Sequence, residues 1–452
     1  MPHTIAIIGA GPSGLAAARA LDKAGIRYVG FESADDVGGL WNIDNPRSTM
    51  YESAHLISSR TTTQFRELPM NTTADYPGHR ELKRYFRAFS DRFDLGQKFR
   101  FNTTVERLEP AETGGWTVTS RASSSVKTHS ADSDSDGGMN GEVTPVTEHF
   151  DSVILANGTL AHPSIPTFAG TFSGEIIHSS QYKKASSFAG KRVLVVGAGN
   201  SGCDIAVDAV HHADSIDLSV RRGYYFVPRY LFGKPADTLN QGRPLPARLK
   251  QFVDARVLKA FTGDPVKFGF PRPDYRIYES HPIVNTLVLG HLGQGDLRVV
   301  PAPERFDGNT VYFTDGAEAD YDLIVLATGY TLDYPFVDRE HLNWSGMAPD
   351  LYLNIFPPSF NGLYVMGMIE ASGIGWQGRY EQAELLASYI SAQENAPRAA
   401  AHFRATAEQP WPDLTGGYKY LALERMSYYV NKDAYRRAMR RVRESLTRKA
   451  NS

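Results

Sequence analysis

The sequence predicts an α/β fold of two parallel-sheet domains, the second inserted into the first, and three observations predict it. An apolar strand runs into a glycine-rich turn and a helix at Ala6-Ile7-Ile8-Gly9-Ala10-Gly11-Pro12-Ser13-Gly14. The same order of elements recurs at Arg192-Val-Leu-Val-Val-Gly197-Ala-Gly199-Asn-Ser-Gly202. Finally, Phe150-Asp-Ser-Val-Ile-Leu-Ala-Asn-Gly158 and Tyr321-Asp-Leu-Ile-Val-Leu-Ala-Thr-Gly329 share an aromatic, an Asp, an apolar run and a small-residue turn.

In the first unit each glycine has a separate steric task. Gly9 permits the tight turn, Gly11 lets the backbone approach a pyrophosphate, and Gly14 lets the helix pack closely on its strand, with the phosphates at the helix N-terminus. An Ala/Leu-rich helix follows at 15–24, and a second strand at 28–31 ends at Glu32, where an acid meets a ribose hydroxyl. This is a Rossmann-like dinucleotide-binding βαβ unit. Glu32 repels a 2′-phosphate, so FAD or NAD is expected and NADP is not. Directly beyond that strand, Val37-Gly38-Gly39-Leu40-Trp41 offers a second close backbone approach and a flat apolar face. It reads as a cofactor contact, the alternative being a plain turn with a core tryptophan.

The stretch 58–67, Ser-Ser-Arg-Thr-Thr-Thr-Gln-Phe-Arg-Glu, has no apolar period and reads as an irregular segment lining something. After a turn at 75–78, Leu82, Tyr85, Phe86, Phe89 and Phe93 fall on one face of an amphipathic helix, as core. Two short strands, 104–108 and 116–119, accompany 120–147, a Ser/Asp/Gly/Thr stretch with almost no large apolar residue. It is expected to be a hairpin loop enlarged by a disordered insertion. Pro163 and Pro166 mark a domain crossing and 329–334 the return. The expected division is therefore 1–163 and 330–452 for the first domain and 164–329 for the inserted one.

In the second unit a helix at 203–211 and a strand at 216–220 lead to Arg221-Arg222, where the first unit carries its acid. Two guanidinium groups suit the 2′-phosphate of NADP by bidentate, charge-assisted hydrogen bonds; the alternative is a solvated basic strand end. Cys203 is expected to be a buried structural thiol. The Pro-, Gly- and aromatic-rich 226–282 suggests irregular structure around short helices. Beyond a strand at 363–366, Ser372-Gly373-Ile374-Gly375-Trp376-Gln377 opens a helix whose N-terminus suits an anionic flavin edge. Arg436, Arg437, Arg440, Arg441, Arg443 and Arg448 make a basic terminal helix, read as a solvated face.

With 452 residues and 42% hydrophobic content, the chain buries enough for two or three domains. Its 48 basic and 50 acidic residues nearly balance, which argues against nucleic acid and for small ligands. The single cysteine excludes an intrachain disulfide, a C-x-x-C redox pair and a cysteine-rich zinc site, so no metal is expected and a reducing cytoplasm fits. No leader and no apolar run of roughly 20 residues is seen, so no membrane span is expected. A homodimer is left open.

Between the crossing prolines and the second unit, Phe172-Ser-Gly174-Glu-Ile-Ile-His178-Ser-Ser-Gln-Tyr182 matches F-x-G-x-x-x-H-x-x-x-[YF]. With this fingerprint the chain resembles the flavin-containing monooxygenases, class B flavoprotein monooxygenases, from Thr4 to the helix beyond Gln377. The similar Baeyer-Villiger monooxygenases, which act on ketones, carry tryptophan where Tyr182 stands and are the second reading. A third is a flavoprotein that only passes electrons to a protein partner. The resemblance implies FAD and NADPH as cofactors and a C4a-hydroperoxyflavin that transfers oxygen from O2 to a small lipophilic soft nucleophile: a sulfide, an amine or, as a further candidate, indole. It further implies that Glu32, Gly38, Gly39, Leu40 and Trp41 hold FAD, that Gly199, Asn200, Ser201, Arg221 and Arg222 hold NADP, and that Gln377 lies near the flavin ring. One departure stands out. The family has an asparagine three residues before a Lys-Glu pair; Arg66-Glu67 takes the place of the pair, which puts Thr63 on the asparagine position and makes Thr63 and Arg66 the catalytic candidates. A hydroxyl reaches less far than an amide and offers no carbonyl, so coupling of oxygen transfer to NADPH use is the property affected. His178 is read as a structural hydrogen-bonding residue.

Overall fold

Two five-stranded parallel sheets organise the computed structural model, which describes residues 3–123, 144–240, 245–408 and 410–450. The first sheet runs in the order Leu363–Val365, Ser152–Leu155, Thr4–Ile8, Arg27–Phe31, Phe99–Arg100. Its central strands are buried on both faces, which is why they read as unbroken apolar runs and not as alternations. Ile5 and Ile7 pack under the helices Pro12–Lys23 and Gly375–Asn395. Ala6 and Ile8 face the other way, onto Val105, Trp116 and Val118 of a three-stranded antiparallel sheet.

The second sheet repeats this plan with the order Glu175–His178, Leu323–Leu326, Arg192–Val196, Ser215–Ser219, Arg298–Val300. Val193 and Val195 lie against the helix Asn200–Ala209, while Leu194 and Val196 face a four-stranded sheet containing Phe306, Val311 and Phe313. Every strand of this sheet falls between 175 and 326, whereas the first sheet takes strands from both sides of that interval. The second unit is thus inserted into the first, as the sequence predicts. The outgoing pair His162–Pro163 and the returning pair Tyr330–Thr331 form a two-stranded antiparallel ribbon.

Several local expectations are corrected. Of 120–147, Ser120–Ala122 completes the strand Trp116–Ala122, and residues 146 and 147 open the strand Val146–Phe150, with Ser120 opposite Val146. The alternation that buries Trp116 and Val118 continues through Ser120, so the ladder outlasts the apolar residues. Residues 124–143 of that expected insertion lie outside the described residues. Within 58–67 there is one helical turn, Arg60–Thr63, and 226–282 contains a 16-residue helix, Ala247–Thr262. Only Gln251 and Leu258 of that helix are buried, so it carries little apolar period to find. The basic terminal helix, Lys432–Ala450, is not merely solvated: Arg436 and Arg443 pair with Glu381 and Glu384 at 2.7 Å each.

Candidate active site

The first glycine turn is shaped by two close approaches. Gly9 takes φ +103°, open to glycine but strained for other residues, and a Cβ there would meet the Ala156 carbonyl at 2.7 Å. A Cβ on Gly14 would stand 1.8 Å from the Gly9 carbonyl, so strand and helix close only over glycine. Across the cleft a Cβ on Gly39 would come 3.0 Å from the Gly11 Cα, which means two bare backbones keep a cradle open at the start of the helix Pro12–Lys23. Glu32 lies on the same cleft with Gly9, Gly11, Gly39, Leu40 and Arg47. Its carboxylate accepts the Ala10 N–H at 2.6 Å and the Ala34 N–H at 2.9 Å. Burial pushes that carboxyl above its ordinary range and these N–H donors work against the shift. Trp41 is set back from the cradle, edge to face with Trp376 at 6.1 Å.

The second turn is a near copy. Gly197 takes φ +105° with its absent Cβ directed at the Ala327 carbonyl, and Gly202 sits on the Gly197 carbonyl as Gly14 sits on Gly9. Gly199 faces open space. Beyond the strand Ser215–Ser219, Arg221 is exposed and Arg222 half-buried. Nη1 of Arg222 is buried with no hydrogen-bond partner, a donor that an anionic group at the strand end would satisfy. Asn200 is differently employed. Its amide donates to the Pro282 carbonyl at 3.1 Å and accepts the Val284 N–H at 2.8 Å, clamping the segment 282–284 onto the helix start. Ser201 approaches Tyr51. Burial raises the Cys203 thiol far above its usual range, and its sulfur donates to the Ala198 carbonyl.

The helical turn Arg60–Thr63 packs against the helix Gly375–Asn395. Thr63 is 5% exposed and its Oγ1 is buried without a partner. Gly375 packs on it so tightly that a Cβ would lie 2.6 Å from the Thr63 Cα. Gln377 accepts the Arg66 N–H at 2.9 Å. Arg66 itself is largely exposed, its guanidinium 3.7 Å from Glu381, and Glu67 binds Arg19 at 2.8 Å and Lys23 at 2.9 Å. The segments carrying Thr63 and Gln377 are therefore in direct contact, while the Arg66 side chain points away to an ion pair.

The fingerprint residues open the inserted unit and tie it to the return of the chain at 329. Gly174 is required because a Cβ would strike the Asp322 carbonyl and the Phe172 ring. His178 is 3% exposed; its Nδ1 accepts the Ser180 N–H, so Nε2 carries the proton and donates to the Gly329 carbonyl at 3.0 Å. Burial holds this imidazole below its ordinary pKa. Tyr182 stacks on Phe188 and donates to Asp208 at 2.8 Å.

The family model for flavin-binding monooxygenase-like proteins matches residues 2–401. The chain belongs to that family. It is 30% identical to the human flavin-containing monooxygenase 5, covering 86% of this chain and 77% of that protein. In fold it is similar to cyclohexanone monooxygenase, with a TM-score of 0.69 at 20% identity over 99% of this chain and 98% of the other. It is also similar to the S-allyl-L-cysteine S-oxygenase of Allium sativum, with a TM-score of 0.63 at 18% identity over 100% and 89%. The chain is thus a flavin monooxygenase that uses FAD and NADPH and takes O2 and a small substrate. Among the described residues no helix is long and apolar enough to cross a membrane.

Sequence reasoning missed the residues that tie the segment 48–53 to the helix Asn200–Ala209 and to Lys183. Tyr51 donates to Asp204 at 2.9 Å, Ser53 to Asp208, and Lys183 to the Ser48 and Met50 carbonyls at 2.6 and 3.1 Å. The available signal was the pair Asp204 and Asp208, two acids four apart on one face of a helix otherwise packed with small apolar residues.

Proposed function

We propose that this monooxygenase oxygenates soft nucleophiles, sulfides and amines first and indole as a further candidate, and that it is a cytoplasmic enzyme with domain limits at 163/164 and 329/330. The observation that carries the substrate class is Tyr182. Its hydroxyl is committed to Asp208 and its ring to Phe188, a packing built for tyrosine at the position where ketone-oxidising relatives carry tryptophan.

In this reading Gly9, Gly11 and Gly14 hold the FAD pyrophosphate, Glu32 its ribose, and Gly39 and Leu40 close the cradle, with Trp41 behind them against Trp376. Gly197, Gly199, Ser201 and Gly202 receive the NADP pyrophosphate, and Arg221 and Arg222 its 2′-phosphate. Asn200 acts one step back, by holding 282–284 against the helix start. When bound, the nicotinamide supplies the reducing equivalents and the flavin the activated oxygen. The chain's part is to orient the two rings, keep water out between them, and offer the Thr63 hydroxyl from the segment packed on Gly375 and Gln377. Burial keeps His178 neutral against the opposing pull of the Gly329 carbonyl, and its role is to hold the fingerprint segment on the return at 329.

The test is product formed per NADPH consumed with cyclic ketones, sulfides, tertiary amines and indole. Sulfoxide or N-oxide formation is expected. Lactone formation with neither of these would move the assignment to ketone oxidation, and NADPH consumption with no oxygenated product would move it to electron transfer.

A further inference from the structure

A second cavity, of about 470 Å³, lies away from the FAD cleft and within the size range of ligand pockets. Four tyrosines, Tyr278, Tyr418, Tyr420 and Tyr429, line it together with Lys250 and Lys432. Part of its lining comes from 416–437, past the end of the family match at 401. The tyrosines form a continuous aromatic run: Tyr278 meets Tyr418 at 6.1 Å, Tyr418 is stacked with Tyr420 at 6.4 Å, and Tyr420 meets Tyr429 at 5.0 Å. Flat rings at such spacing accept another flat ring.

The inner wall leads to the catalytic candidates. Asp237 lines the cavity and accepts hydrogen bonds from Ser59 and from Thr62, the neighbour of Thr63. Ser372 and Gly373 line it too, two residues before the Gly375 that presses on Thr63. Lys432 extends its ammonium to about 3.5 Å from where a Cβ on Gly373 would lie. A lysine as the first residue of a helix opposes the helix dipole, and burial holds its pKa below the ordinary value. Lys250 is shared with Asp254, which also takes the Tyr278 hydroxyl, and the cavity's second acid is Asp433.

We propose that this cavity is the substrate chamber and takes an aromatic ring bearing a carboxylate, the ring among the tyrosines and the carboxylate on Lys432. The inference rests on the sulfide reading above. The reaction balances as sulfide, O2, NADPH and H+ giving sulfoxide, water and NADP+.

The test is calorimetric binding of 4-(methylthio)benzoate and of thioanisole to the FAD-loaded enzyme with NADP+, followed by product analysis. The carboxylate is expected to bind at least about tenfold tighter, as one charge-assisted hydrogen bond provides. Lys432→Met should remove that preference and Lys432→Arg retain it. Equal binding of the two sulfides, or a preference that survives Lys432→Met, would overturn the proposal. If Lys432→Met fails to hold FAD, Tyr418→Leu decides: both ligands should bind several-fold more weakly, and unchanged affinity overturns the chamber. Selective binding without sulfoxide would leave the chamber standing and sink sulfide oxygenation; sulfoxidation without the preference would do the reverse.

Discussion

The side-chain carbonyl of Gln377 accepts the backbone N–H of Arg66 at 2.9 Å, joining positions 311 residues apart. This bond pins the first turn of the helix Gly375–Asn395 to the segment that carries Thr63, with the Gln377 and Thr63 side chains nearly buried. Gln377→Leu strands the Arg66 N–H and should cost about 1–3 kcal/mol of stability. Gln377→Glu keeps an acceptor and should cost less. Urea unfolding of the two variants checks this, and equal losses would show that the bond contributes nothing.

Arg222 has a buried Nη1 with no partner in the protein, so Arg222→Ala breaks no bond there and should leave thermal stability within about 0.5 kcal/mol. Removal of both Arg221 and Arg222 should cost on the order of 2–4 kcal/mol in kcat/KM for NADPH and little for NADH. Equal losses with the two cofactors would assign these arginines to something other than a 2′-phosphate.

His178 is neutral in the fold because burial disfavours its charged form, which sets its pKa below the ordinary value of about 6.5. A depressed histidine contributes stability that is present above the unfolded pKa and is lost as pH falls through the folded one. The enzyme should therefore lose stability below about pH 6.5, with His178 accounting for up to about 1.4 kcal/mol per pH unit. His178→Asn should be less stable at pH 7.5 and show a shallower decline between pH 6.5 and 5. A slope identical to that of the parent would mean the imidazole takes up its proton in the fold as it does in the unfolded chain.

The paired glycine turns were legible because their constraint is local: Gly9 and Gly14, or Gly197 and Gly202, meet carbonyls of their own turn and of the adjacent strand. The insertion was legible from the repeat at 150–158 and 321–329, whose strands, Ser152–Leu155 and Leu323–Leu326, neighbour their glycine turns in the two sheets. The use of Asn200 as a clamp was not, since its partners Pro282 and Val284 lie some eighty residues on. The tyrosine-lined cavity escaped for the same reason. It assembles 237–239, 245–250, 278, 372–373 and 416–437, segments with no shared motif and no common period.

Thr63 offers the sharpest test of the site. Its Oγ1 is buried and unpartnered, so Thr63→Val, equal in shape, removes an unsatisfied hydroxyl and should leave the fold as stable or up to about 1 kcal/mol more so. If that hydroxyl serves the bound nicotinamide and flavin, the same variant should release more hydrogen peroxide per NADPH consumed. Thr63→Asn makes the opposite change, supplying a donor and a carbonyl with longer reach. It should lower peroxide per NADPH, at a stability cost of about 1–3 kcal/mol because Gly375 leaves little room beside the Thr63 backbone. The two readouts separate packing from function: melting temperature reports the first and the peroxide ratio the second. A Thr63→Val enzyme whose peroxide ratio matches the parent would remove Thr63 from the catalytic site, whatever its effect on stability.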